Sequence, residues 1–359
     1  MLRKPAVSVL VVITFLLGTS ASAEIPSSST RLVLVKTLSG DITPKSVRAS
    51  ANGIVSAQNM MYRHSVTVYD SKTFALLKTI PDEVDPADFG YSQYPGAHKG
   101  APVEGAYSPD GNYLYVTNYS MYGKGFAHEG HDICSPASGF DRSFLYRIDL
   151  STLEVDAIYR VGVVPKVVEV TPDNKYILVT NWCSYDLYII SVATQKVVKV
   201  MNMGPYPRGI AVSATGKTAY VAQMGGSTIK QINLKTFNSE SIQIGSNPRA
   251  VVLSPDSKTL YATLNRSGKV VSYDLVKRHL IASVTTGKAS RSLAISTDGT
   301  ALFVVNFTSG TMSKVRASDL KVLQSVKACR QPIGVTYEPT SNRTWVACYF
   351  GEIKIFDNK

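Results

Sequence analysis

The chain has 359 residues, 44% of them hydrophobic and only 18% charged, with 20 tyrosines. That composition excludes a disordered chain and describes an ordered, globular polypeptide. Its formal charge of +12 biases the surface towards anionic partners without identifying one.

The first residues read as an export leader. Arg3 and Lys4 precede an apolar run at 6–18 and the small residues Ala21, Ser22 and Ala23, so a signal peptide over 1–23 is expected, leaving a mature chain of 24–359 in the periplasm or outside the cell. The run is shorter than the roughly 20 residues a bilayer requires, and no later stretch offers a membrane span. Loss of Arg3 and Lys4 would lower the formal charge from +12 to +10.

Beyond the leader one pattern recurs: a Pro, an apolar strand, a polar turn, a second strand, then a loop. An eroded copy stands at 49–59. Ser-Pro-Asp-Gly-Asn-Tyr-Leu-Tyr-Val-Thr-Asn follows at 108–118 and Thr-Pro-Asp-Asn-Lys-Tyr-Ile-Leu-Val-Thr-Asn at 171–181. Further copies lie at 213–223, 254–264, 296–306 and 338–348. The third turn residue falls at 51, 110, 173, 215, 256, 298 and 340, which gives spacings of 59, 63, 42, 41, 42 and 42. Seven β-rich units of this length fit the four-stranded blades of a propeller, which repeat every ~40–50 residues. The Pro-Asp-Gly turns suit tight hairpins because Pro presets φ and Asp or Gly tolerates the turn geometry. The last unit lacks an outer strand, and residues 32–38 supply a spare one, so an all-β, seven-bladed propeller closed by its N-terminal strand is predicted.

The tetrads Tyr-Val-Thr-Asn at 115–118 and Leu-Val-Thr-Asn at 178–181 resemble the signature of YVTN-repeat β-propellers, the family that includes YncE-like exported proteins. The resemblance implies the fold over the whole mature chain. It leaves function open, since it spans surface-layer components, proteins proposed to bind nucleic acid, lactonases and haem-bearing domains of oxidoreductases.

With strands A to D counted outwards in each blade, the D–A and B–C loops share one face. The first two units exceed the period of 42 by 17 and 21 residues, and the excess falls at about 81–100 and 119–142, both on that face. His98, His128 and His131 lie in these insertions, with Glu129 and Asp132 behind them, and are candidate ligands for a divalent metal. No other cofactor fingerprint is present. Blade positions select one pairing of the four cysteines, Cys134 with Cys183 and Cys329 with Cys348. The residue starting each inner strand is Lys45, Val103, Lys166, Arg208, Arg249, Arg291 or Ile333, which predicts five cations around one mouth of the channel, with Arg142 nearby.

A binding module is therefore expected, capturing an anionic small molecule or acidic protein segment at Lys45, Lys166, Arg208, Arg249, Arg291 and Arg142. A metal-dependent or lactonase-like enzyme is the alternative, with Glu104, Glu169, His98 and Arg142 as candidate groups. Nucleic-acid binding, with Tyr94, Tyr119, Tyr122, Phe126, Trp182 and Tyr185 as stacking platforms, and a purely structural envelope role are further ones.

Overall fold

The repeats fold as antiparallel meanders, seen here in a computed structural model that describes residues 25–359; the expected signal peptide lies outside the described residues. In the third blade the strands are Pro165–Val170, Tyr176–Asn181, Asp186–Ser191 and Val197–Asn202, hydrogen-bonded in that order. Seven such sheets form the ring, and their inner strands meet one another around the axis. The second blade differs. Its inner strand, His98–Tyr107, is lengthened, and the two-residue strand Glu83–Val84 pairs with its start.

Turn chemistry explains the repeat. Ser108 Oγ accepts the amide of Tyr113 at 2.9 Å, and the corresponding hydroxyls of Thr171, Ser213, Ser254 and Ser296 accept at 3.0, 3.1, 3.0 and 3.0 Å. In four of these five turns the residue two on is Asp, and its carboxylate accepts a hydrogen bond from the hydroxyl, as from Ser254 to Asp256 at 2.6 Å; Thr215 stands there after Ser213.

The last two residues of the tetrad act between elements. Asn181 is buried, and its Oδ1 accepts the Gly162 amide at 3.1 Å, fastening the loop that enters the blade to the end of its second strand. Thr180 Oγ1 donates to the Arg208 carbonyl of the next blade at 2.8 Å. Thr117 does the same to Lys166 at 3.1 Å and Thr263 to Arg291 at 3.3 Å.

The apolar core is distributed between neighbouring blades rather than gathered at one centre. Ala106, Tyr115, Val168, Ile177 and Val179 pack between the second and third blades, and Val47, Val55, Trp345 and Ile355 between the last and first. Each fully buried aliphatic or aromatic side chain there contributes about 1.5–3 kcal/mol.

Closure is as predicted. Leu32–Ser39 pairs antiparallel with Glu352–Asn358, and Arg31 and Lys359 exchange backbone hydrogen bonds of 2.6 and 2.9 Å. A buried ammonium from the sixth blade clasps the join: Lys314 Nζ donates to Thr30 O at 2.7 Å, Thr30 Oγ1 at 2.8 Å and Asn358 Oδ1 at 2.5 Å. Starting the chain at Asp41 removes both the strand and the clasp. Such a variant is expected to lose cooperative urea unfolding and to bind a hydrophobic dye; a single transition at the parent midpoint would contradict ring closure as the source of cooperativity.

Candidate functional site at the channel mouth

The two disulfides join Cys134 to Cys183 and Cys329 to Cys348, with Cα separations of 5.4 and 6.1 Å. The first pins the second insertion to the third blade. Around it Trp182 Nε1 donates to the Asp132 carbonyl at 2.9 Å, and the hydroxyls of Tyr185 and Tyr206 both donate to the Cys134 carbonyl at 2.9 Å. This clamp holds the Asp132 carboxylate over the inner-strand starts.

There it meets the predicted ring. Lys166 is 3% exposed and donates to Asp132 Oδ1 at 2.8 Å, while its Nζ stands 4.2 Å from the Tyr119 ring centroid. Lys45, Arg208, Arg249 and Arg291 also feel the Asp132 charge, although only Lys166 is in contact with it. Below the mouth a cavity of about 90 Å³, lined by Arg48, Glu104, Glu169, Arg208, Arg249 and Arg291 among others, runs along the axis. Arg48 Nη2 reaches across it to Glu169 Oε2 at 2.6 Å, and Arg208 Nη2 lies 3.6 Å from Glu104 Oε1.

Six cations thus converge with three carboxylates. Lys166, Arg48 and Arg208 have carboxylate partners, whereas Lys45, Arg249 and Arg291 have none within 4.0 Å among the described residues. Lys45 and Arg291 rest instead on aromatic faces, 5.3 Å from the Tyr349 centroid and 3.5 Å from that of Phe307. Arg249 Nη1 has the Met224 sulfur at 3.9 Å, and Arg291 Nε is buried without a partner.

The electrostatics record the crowding. Burial pushes the Lys166 ammonium down to about 7, although Asp132 pulls the other way. Burial, then Lys166, Arg208 and Arg249, hold Lys45 well below the usual ammonium range, and burial, then Arg208 and Arg291, do the same to Arg249. Arg291 falls to about 10, chiefly by burial and then by Arg208. Burial alone would raise the Asp132 carboxyl, but Lys166, Lys45 and Arg208 hold it below the ordinary range. Glu104 and Glu169 are raised by burial despite the neighbouring cations.

Other predicted groups lie elsewhere. Arg142 is exposed, donates through Nε to the Val161 carbonyl at 2.9 Å and stands over Tyr188, outside the ring. The three histidines are not brought together. His98 is buried with both ring nitrogens against backbone carbonyls, Gly96 at 2.6 Å and Lys124 at 2.9 Å, because it packs the first insertion onto the second. His128 and His131 are exposed, and His131 Nδ1 accepts the Ile133 amide. Among the described residues no group of three or more His, Cys, Asp or Glu is placed to hold a metal. The aromatics suggested for base stacking are largely spent on packing. Tyr94 stacks on Phe126 at 4.6 Å, and Trp182 on Tyr206 at 4.5 Å.

Comparison with known proteins places the chain among propellers. Residues 138–218 match the family model of the YNCE-like beta-propeller, and residues 243–344 that of the Cytochrome D1 heme domain. Antigen Lp49 of Leptospira interrogans is 26% identical over 165 residues, which are 44% of this chain and 36% of that protein. Dihydro-heme d1 dehydrogenase of Pseudomonas aeruginosa is 36% identical over 75 residues, 21% of this chain and 15% of that one. The matches thus span well under half the length of either relative. Hydrazine synthase from Kuenenia stuttgartiensis shares the fold, with a TM-score of 0.69 at 17% identity over 89% of this chain and 96% of that one. The structural likeness shows the propeller fold, and the match over residues 138–218 points to the YncE-like family.

The pair across the channel gives a stability test. Glu169→Leu or Arg48→Met alone leaves one ion without its counter-charge, whereas the two together remove both. A double-mutant cycle from urea midpoints is expected to show a coupling of about 1–2 kcal/mol, the lower part of the range for such pairs because 39% of the Arg48 side chain stays accessible. Singles that add within about 0.5 kcal/mol would mean that the pair contributes nothing specific.

Proposed function

We propose that this propeller is an exported binding module that captures an anion, a carboxylate or a phosphate-type group, at the insertion-face mouth of its channel. The observation that carries this reading is the surplus of three cations, Lys45, Arg249 and Arg291, left without carboxylates in a narrow funnel. Buried charge is costly unless paired, and a bound anion would supply the missing partner. Guanidinium groups add directionality, since two parallel N–H donors match the two oxygens of a carboxylate.

Two disulfides and the absence, among the described residues, of any helix long and apolar enough to cross a membrane are compatible with export. The segment that matches a haem-domain model contributes Arg249 and Arg291. A tetrapyrrole does not fit inside a cavity of about 90 Å³, which holds a few waters. One acidic substituent of a larger ligand does.

Anion capture is expected to depend on pH. A bound anion favours the charged form of Lys166, so affinity rises as pH falls through 7 and levels off below. Calorimetric titration with sulfate, whose charge is constant over this range, is expected to show affinity about tenfold higher at pH 6 than at pH 8.5. Lys166→Met should flatten that dependence, and Arg249→Gln with Arg291→Gln should weaken binding about tenfold or more at every pH. A parent protein that binds neither sulfate nor glutarate, or a double variant that binds as well as the parent, overturns the assignment.

A further inference from the structure

The insertion face is electrically divided. Its loops in the first three blades carry Asp41, Asp82, Glu83, Asp85, Glu129 and Asp132 among others. The eight loops of that face between residues 203 and 351 contain no Asp or Glu at all, yet they hold Arg266, Lys288 and Arg330 in addition to the ring. Carboxylates of this half of the chain, such as Asp256, Asp274 and Asp298, sit in turns on the opposite face.

The basic half is continuous with the mouth. Phe307, Tyr349 and Phe350 form a rim of rings with centroids 6.2 and 5.7 Å apart. Cations lie on all three: Arg291 at 3.5 Å from Phe307, Lys45 at 5.3 Å from Tyr349 and Arg330 at 4.1 Å from Phe350. Immediately outside Phe307 a cavity of about 510 Å³ opens between the fifth and sixth blades, lined by Arg266, Lys288, Thr308 and Ser309 among others. Ser309 Oγ accepts the Lys288 amide at 2.8 Å, which fixes that wall. Neither Arg266 nor Lys288 has a carboxylate within 4.0 Å among the described residues.

Resting on the anion-capture reading, we infer that the site extends outward over this crescent and takes an elongated polycarboxylate. One acidic group seats at Arg249 and Arg291, and another lies further from the axis over the same two blades, against Arg266 and Lys288. A single compact anion would leave the outer pair unused. A nucleic acid fits less well, because the rim rings already carry cations on their faces and bases would have to displace them. The required chemistry, carboxylates spaced along a body, is found both in acidic polypeptide segments and in small polyacids.

Four probes separate these cases: glutarate, citrate, hexaglutamate and an oligothymidylate, each titrated into the parent, the mouth variant R249Q/R291Q and the outer variant R266Q/K288Q. Hexaglutamate is expected to bind the parent about tenfold tighter than glutarate, and the outer variant to lose about that factor for hexaglutamate while holding glutarate unchanged. Lys175→Gln with Lys196→Gln, on the opposite face, should leave hexaglutamate affinity at the parent value; an equal loss there would reduce the effect to overall charge and overturn the inference. Citrate matching hexaglutamate, with the same dependence on Arg266 and Lys288, would support the site with a small polyacid as its occupant. An outer variant that binds hexaglutamate like the parent defeats the extended site while leaving glutarate capture standing. Failure of every probe on the parent removes the capture reading itself. Oligothymidylate binding tighter than hexaglutamate, and lost in the outer variant, replaces the polycarboxylate with a single-stranded nucleic acid.

Discussion

A threonine hydroxyl reaching from the second strand of one blade to a carbonyl at the start of the next is the contact on which the arrangement depends. Thr117, Thr180 and Thr263 each make it, and the carbonyls they reach belong to Lys166, Arg208 and Arg291. The bond fixes the rotation of one sheet against its neighbour, and it also anchors the backbone of a ring cation. Scaffold and site are therefore positioned by the same atoms. Where the tetrad carries Ala222 in place of Thr, the next cation, Arg249, lacks this anchor and lies against a methionine sulfur.

Concentrating like charge at an axis works against the fold. Burial and mutual repulsion act together on Lys45, Arg249 and Arg291, and only part of the cost is returned by the three ion pairs and the aromatic faces. The Asp132 loop reduces the imbalance without cancelling it. Its position is enforced by a disulfide and by three aromatic hydrogen bonds to the Asp132 and Cys134 carbonyls. An insertion that could have been a mere surface loop thus delivers one negative charge to a defined place.

Much of this was legible beforehand because repetition amplifies weak signals. Seven copies of a turn give the blade count even where the first copy, at 49–59, is eroded, and the missing outer strand of the last unit points to residues 32–38. The cysteine pairs and the ring follow from the blade positions of their residues. Arg48 was not foreseen, and Glu169 was named as a possible catalytic group rather than as the partner of a cation. Strict alternation from Lys166 would turn Glu169 to the other face, but the inner strand shifts register between Pro165 and Val168, so both act on the channel. The histidines misled for a different reason. Proximity along loops says nothing about direction, and His98 is turned into the packing between insertions, with both ring nitrogens facing carbonyls. Arg142, judged by loop membership alone, points to Tyr188 instead of the axis.

The closing strand gives the molecule an order in time. A ribosome delivers Leu32–Ser39 before any blade exists, yet its partner Glu352–Asn358 is the last of the described strands, and the paired Ser39 and Glu352 stand 313 positions apart. Throughout elongation that first segment, with Val33, Leu34 and Val35 along it, has an open edge and no place to dock. Successive blades can stack as they appear, but the circle cannot shut. The ring therefore shuts only once Glu352–Asn358 is present, and a chain lacking that strand carries an unpaired β-edge.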